Sequence, residues 1–100
     1  MNIDRIEIIE NSVQLTIFPK EHKAIINDKD YLIKDEKINE LFDIIKNWEN
    51  EYIDNSYYDG NSYSIYIFHE GKVTKYIGKR AYPQNYEMFT NYIRSIYDWR

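Results

Sequence analysis

Hydrophobic and polar residues alternate with a period of two over the first part of the chain. In "VQLTIF" (13–18), Val13, Leu15 and Ile17 alternate with Gln14 and Thr16, the pattern of a strand with one buried face. "IDRIEII" (3–9) is also β-rich, and "ENS" (10–12) between the two suits a hairpin turn. Pro19 stops the second strand, because it has no N–H to give a ladder. "KAIIN" and "YLIK" flank the short polar insert "DKD" (28–30), which reads as a second hairpin turn. The first four strands are predicted to form a meander.

The period then changes. Ile38, Leu41, Phe42, Ile45, Trp48 and Tyr52 recur at the three-and-four spacing of one helical face, which predicts a helix over 36–53 with Asp35 as its N-cap. Glu36, Glu40, Asp43, Lys46, Asn47, Asn50 and Glu51 fall on its outer side. "DNSYYDGNS" (54–62) is a loop by composition. "YSIYIF" (63–68) and "VTKYI" (73–77) read as a hairpin turning at Glu70-Gly71. A two-residue turn there sets Phe68 opposite Val73 on one face and Ile65 opposite Tyr76 on the other. Both faces are then partly apolar, which leaves one for a partner to cover. Phe89, Tyr92, Ile93 and Ile96 predict a final helix over 86–98, with Asn85 as its N-cap.

These elements make an α+β fold in the order ββββαββα. An antiparallel sheet of about six strands carries two helices on one face, within a single domain spanning 1–100. Trp48, Phe42, Phe89 and Ile93 are expected at the helix–sheet core.

Composition adjusts this picture in three ways. The chain has 100 residues and no Cys, which removes disulfides, thiolate metal sites and a Cys nucleophile and suits a reducing compartment. The N-terminus "MNIDRIEIIENS" carries acids from Asp4 onward and lacks the basic-then-apolar order of a signal peptide, and no apolar run nears the ~20 residues a bilayer needs. A cytoplasmic protein with no membrane partner is expected. Ile, Asn, Lys and Tyr number 17, 10, 9 and 11, against Ala only at 24 and 81. Their codons are A/T-rich, so an AT-rich genome would raise these counts with no functional cause, and tyrosine position carries more than tyrosine count.

Charge is unevenly placed. Residues 1–60 hold 14 acids and 7 bases, and residues 61–100 hold 3 acids and 6 bases, giving −4 in all. That balance disfavours a general nucleic-acid binder and leaves room for one acidic face and a smaller basic one.

Catalytic parts are missing from the sequence. His22 and His69 lack a second ligand at metal spacing and read as surface or turn residues, so no metal site and no cofactor are expected. No Ser sits in a nucleophile elbow, and Gly60, Gly71 and Gly78 are isolated, so no phosphate cradle forms. Asp35-Glu36 stands at a helix start, where acids favour the dipole, and this outweighs general acid–base work. In the 54–62 loop, Tyr57, Tyr58 and Asp59 have the aromatic-plus-acid composition of a binding loop, set against a plain polar connector. Asp54 and Asp59 are weak evidence for a cation site.

"YIGKRAYPQNYEMF" (76–89) is the most specific stretch. Turn chemistry explains Gly78, Pro83 and Asn85 as a strand-to-helix corner. Lys79-Arg80 beside Tyr76, Tyr82 and Tyr86 is left over, and suits either a nucleic-acid strand or a protein interface. The pattern Y-x-G-x-x-A-Y-P-x-N-Y-x-x-F resembles the tail of small uncharacterised proteins of AT-rich bacteria and their phages. Some of these small proteins are toxin-immunity proteins or inhibitors of host defence, including anti-CRISPR proteins. The resemblance implies a protein that works by binding another protein, and it transfers no catalytic residue.

The leading expectation is a non-enzymatic inhibitor, of anti-CRISPR or toxin-immunity type, that blocks a nucleic-acid-processing enzyme such as a nuclease or CRISPR effector. Recognition falls to Glu36, Glu40, Asp43, Glu51 and Asp54, with Tyr57, Tyr58 and Asp59. The alternatives are a small nucleic-acid-contacting domain and a homodimerising module. The first would use Lys75, Lys79, Arg80 and Tyr82, with Lys72 and Arg94 nearby; the second would pair through the other sheet face.

Overall fold

The computed structural model describes residues 2–11, 13–53, 62–79 and 81–97. A meander opens the chain, as the alternating pattern predicts. β1 (Ile3–Glu10), β2 (Val13–Phe18), β3 (Lys23–Ile26) and β4 (Lys29–Leu32) pair in sequence, each antiparallel to the last. A short 3-10 turn, Pro19–Glu21, links β2 to β3. The second hairpin turns at Asn27-Asp28, both at positive φ, with 46° and 71°. Asn and Asp tolerate that left-handed pair, so the turn sits one residue before the expected "DKD", and Lys29 and Asp30 join the strand.

α1 spans Asp35–Ile45, shorter than the apolar spacing suggested. Lys34 holds the N-cap position and Asp35 is the first helical residue, so Asp35 is not the cap. The Lys34 carbonyl accepts from Lys37 N and Ile38 N at 3.0 and 3.1 Å. The early stop has a tertiary cause. Ile77 N donates to the Asn50 carbonyl at 2.8 Å, and Asn50 Nδ2 donates to the Lys75 carbonyl at 2.7 Å. The sheet edge thus captures the chain where Asn47 and Asn50, weak helix formers, offer little resistance. The captured residues become β5 (Glu51–Ile53), parallel to the last strand of the chain.

β6 (Ser62–His69) and β7 (Lys72–Lys79) form the second long hairpin, turning at Glu70-Gly71 with φ of 51° and 76°. Its register pairs Ile65 with Tyr76 and Phe68 with Val73, as the two-residue turn required. Among the described residues the sheet therefore has seven strands rather than six, in the order β4-β3-β2-β1-β6-β7-β5, and is mixed rather than purely antiparallel. α2 (Tyr86–Tyr97) closes the described chain.

Ile6, Ile8, Leu15, Ile17, Ala24, Ile65 and Ile67 point to one side of the sheet. They form a single buried cluster with Leu41 and Ile45 of α1 and Phe89, Tyr92 and Ile93 of α2. Trp48 is buried in this cluster although it lies beyond the helix, in the turn after α1. Phe42 is only half-buried at the cluster's margin, a departure from its expected core position. α2 is tied to α1 by the Tyr92 hydroxyl, which donates to the Lys37 carbonyl at 2.7 Å. No helix among the described residues is long and apolar enough to cross a membrane.

Candidate binding surfaces

α1 is fixed by Ile38, Leu41, Ile44 and Ile45, all buried. Its opposite side is consequently ordered, and Glu36, Glu40 and Asp43 stand exposed there at steps of four and three residues. Such steps place them along one line of the helix. The row is diluted by Lys37, whose Nζ meets Glu40 Oε2 at 3.1 Å. An exposed pair of this kind contributes ~0–1 kcal/mol, so Glu40 can exchange Lys37 for another cation at little cost. Glu51 does not belong to the row. It lies on β5 opposite Ile77, exposed at the sheet edge. Asp54, Tyr57, Tyr58 and Asp59 lie outside the described residues.

The basic corner is divided. Lys75 and Lys79 are exposed on β7, on the same side as Ile77. Arg80 lies outside the described residues. Tyr82 stacks on Tyr86 with ring centroids 4.5 Å apart. Tyr86 meets Tyr63, Phe89 and, more distantly, Trp48. Arg94 is on the exposed side of α2.

The motif residues of the corner serve the packing instead. Gly78 is the cross-strand partner of Tyr63, whose ring lies over it. A Cβ at Gly78 would fall inside the Tyr63 ring carbons' contact distance. The glycine is thus required by close approach and not by a left-handed backbone. Pro83 is buried and its carbonyl accepts from Tyr86 N at 3.1 Å, which leads the chain into α2. Asn85 accepts from Trp48 Nε1 at 2.6 Å and donates to the Ile44 carbonyl at 2.8 Å, linking the end of α1 to the start of α2.

Two polar groups in this region escaped the sequence reading. Glu10 is buried at the end of β1, where its Oε2 accepts from the Tyr86 hydroxyl at 2.8 Å and from Asn11 Nδ2 at 2.6 Å. Its place on the inward parity of β1, after Ile6 and Ile8, was the available signal. Burial, and next the Glu10 carboxylate, push the Tyr86 phenol well above its ordinary range. Burial likewise raises Tyr63 and Tyr92. The Tyr63 hydroxyl is buried with no hydrogen-bond partner among the described residues.

A groove of about 610 Å³ opens elsewhere, between the 3-10 turn and α1. Ile3, Ile38 and Phe42 line it, with His22 Nε2 and Asp35 Oδ1 2.9 Å apart on its wall. Both side chains are more than half exposed, so water screens the pair, and its evident role is to tie the start of β3 to the start of α1. His69 is spent locally on Thr74 Oγ1 at 2.9 Å. Among the described residues, no three His, Cys, Asp or Glu side chains gather as a metal site.

The other side of the sheet is a surface that neither helix covers. Alternation sends Arg5, Glu7 and Ile9 of β1 there, with Thr16 and Phe18 of β2 and Tyr66 and Phe68 of β6. Arg5 lies over the Phe68 ring at 3.8 Å, and Lys23 Nζ over the Phe18 ring at 5.3 Å. Each ring thus carries the charged group of a neighbour over its face. Comparison of the chain with protein-family models, with curated proteins and with solved structures found no match.

Proposed function

We propose that this chain is a non-enzymatic inhibitor of the toxin-immunity or anti-CRISPR kind, which blocks a nucleic-acid-processing enzyme by protein–protein contact. The observation that carries the reading is the exposed line of Glu36, Glu40 and Asp43 on a helix immobilised from behind. A row that is already ordered loses little entropy on docking. It complements the cationic groove that such an enzyme offers to a phosphate backbone, and charge complementarity would speed encounter at low salt. Glu51, displaced to the sheet edge, is a peripheral contributor at most. The loop acids and tyrosines at 54–59 remain part of the proposed contact through their position in the sequence. A cytoplasmic location belongs to the same reading, since the proposed target works there.

The test is a capture experiment. The chain, immobilised through a terminal tag, is exposed to an extract of the source cells at low salt and eluted with salt. Nuclease activity should appear in the eluate from the wild-type surface and be absent from that of Glu36→Lys/Glu40→Lys/Asp43→Lys. Equal nuclease recovery from both surfaces would overturn the assignment of recognition to α1.

A further inference from the structure

We infer that the open face of the sheet is a homodimer interface, in which two copies of this chain pack face to face about a two-fold axis crossing β1 between Arg5 and Glu7. This goes beyond the proposed inhibitor function and does not depend on it, because α1 and α2 lie on the opposite side of the sheet. In such a dimer both α1 rows point outward, so one assembly presents two acidic surfaces.

Charge placement selects the second copy as the occupant. β1 is the central strand of seven, with three strands on either side. Arg5 and Glu7 are neighbours on its open face, 3.4 Å apart at Nε and Oε1, and both are about 41% exposed. Each begins a cross-strand row. Phe68 pairs with Arg5, and Tyr66 pairs with Glu7. Thr16 on β2 and Lys75 on β7 extend the Glu7 row, Val73 on β7 extends the Arg5 row, and Phe18 lies one step beyond the Ile6–Ile17 pair. A two-fold axis in the plane of the interface, perpendicular to the strands and midway between the rows, exchanges one row for the other. Arg5 then faces Glu7 of the second copy, and Glu7 faces its Arg5. Phe68 meets Tyr66 of the second copy, again twice. This is the self-complementarity that an isologous contact requires. Lys75 and Lys79 also stand on this face, but toward its β7 edge, whereas the central Arg5 and Lys23 charges are offset by Glu7 and Glu21, so a nucleic-acid strand would meet cations at that edge and not across the aromatic rows.

The size of the face agrees. Seven strands about 4.8 Å apart, with the long ones rising about 3.3 Å per residue, give a surface of roughly 30 by 20 Å. Its accessible area is then on the order of the ~800 Å² per partner that a stable interface buries. The aromatic and Arg content of the two rows matches the composition of interface cores.

Sedimentation velocity of the full chain decides the matter. Wild type should shift from the 12.3 kDa chain mass to twice that mass as concentration rises through the micromolar range. Arg5→Glu alone sets acid against acid at both contacts, and Glu7→Arg alone sets base against base. Each variant should sediment as a monomer at concentrations tenfold above the wild-type midpoint, with unchanged circular dichroism. An equimolar mixture of the two restores both contacts and should form a one-to-one dimer. A wild-type monomer at millimolar concentration overturns the inference. So does dimerisation of either single variant at the wild-type midpoint, or a mixture that stays monomeric. Binding of a fluorescent single-stranded oligonucleotide, lost in Phe68→Ala and with no increase in protein mass, would assign the face to nucleic acid instead.

Discussion

The Trp48 indole N–H donates to the Asn85 side-chain oxygen at 2.6 Å, across 37 residues of sequence. The same amide reaches the Ile44 carbonyl at the end of α1, so one side chain holds the end of the first helix, the buried indole and the start of the second helix. Asn85→Ala leaves an indole N–H and a carbonyl without these partners. The loss should be about 2–3 kcal/mol in urea unfolding, given the desolvation cost of unpaired polar groups. Asn85→Asp keeps the acceptor for Trp48 but sets a carboxylate oxygen against the Ile44 carbonyl, so it should lose at least as much. Stability of Asn85→Ala within about 0.5 kcal/mol of wild type would show that the two bonds contribute nothing.

This corner shows what the sequence disclosed and what it withheld. The motif stood out in the sequence, and its turn residues gave its shape, but the reach of Asn85 to residues 44 and 48 is tertiary and leaves no local pattern. The turn and register of the long hairpin were legible, because Glu70-Gly71 admits a compact turn and the period of two fixes the pairs beyond it, although both strands run past the expected 63–68 and 73–77. β5 was not legible. Trp48 and Tyr52 continue the helical spacing of Ile45, yet the free edge of β7 captures Asn50 and draws Glu51 out of the helix. Of the candidate contacts, Glu36, Glu40 and Asp43 keep the exposed line their spacing implied. The pairing of Arg5 and Glu7 rows across the sheet required knowing that β1 is central, which strand order alone reveals.

Gly78 should resist enlargement. Tyr63 is held between Trp48, Tyr86 and Phe89, with ring centroids 5.3, 5.4 and 5.9 Å away, so it cannot swing aside. Gly78→Ala is expected to cost about 1–3 kcal/mol as an overpacking substitution, and Gly78→Val more. Wild-type stability of Gly78→Ala in the same melts would show that the ring yields.

Tyr63→Phe should leave stability within about 0.5 kcal/mol of wild type, since the hydroxyl it removes is buried without a partner among the described residues. A loss above 1 kcal/mol would reveal a bond that this hydroxyl makes.

Alkaline pH should unfold the domain. Tyr63, Tyr86 and Tyr92 are all raised above the ordinary value of 10.0, chiefly by burial, so the folded state favours their protonated forms. The stability they contribute is full below about pH 10 and is lost as pH climbs toward the folded-state values. The melting temperature should fall steeply above about pH 10, with tyrosinate absorbance rising in step with unfolding. Tyr92→Phe, which loses the bond to Lys37, should start lower but fall less steeply. Parallel curves for the two proteins would rule out Tyr92 as a source of the slope.

The acidic line on α1 is tested most directly in solution, by titrating the purified chain into a cell extract that degrades a supplied DNA or RNA substrate. The wild type should suppress degradation in a saturable manner, more strongly at low salt than at high salt. Glu36→Lys/Glu40→Lys/Asp43→Lys, folded by circular dichroism, should leave degradation at its uninhibited rate. Suppression by the triple variant at wild-type concentrations, or none by the wild type at saturating concentration, would contradict the account.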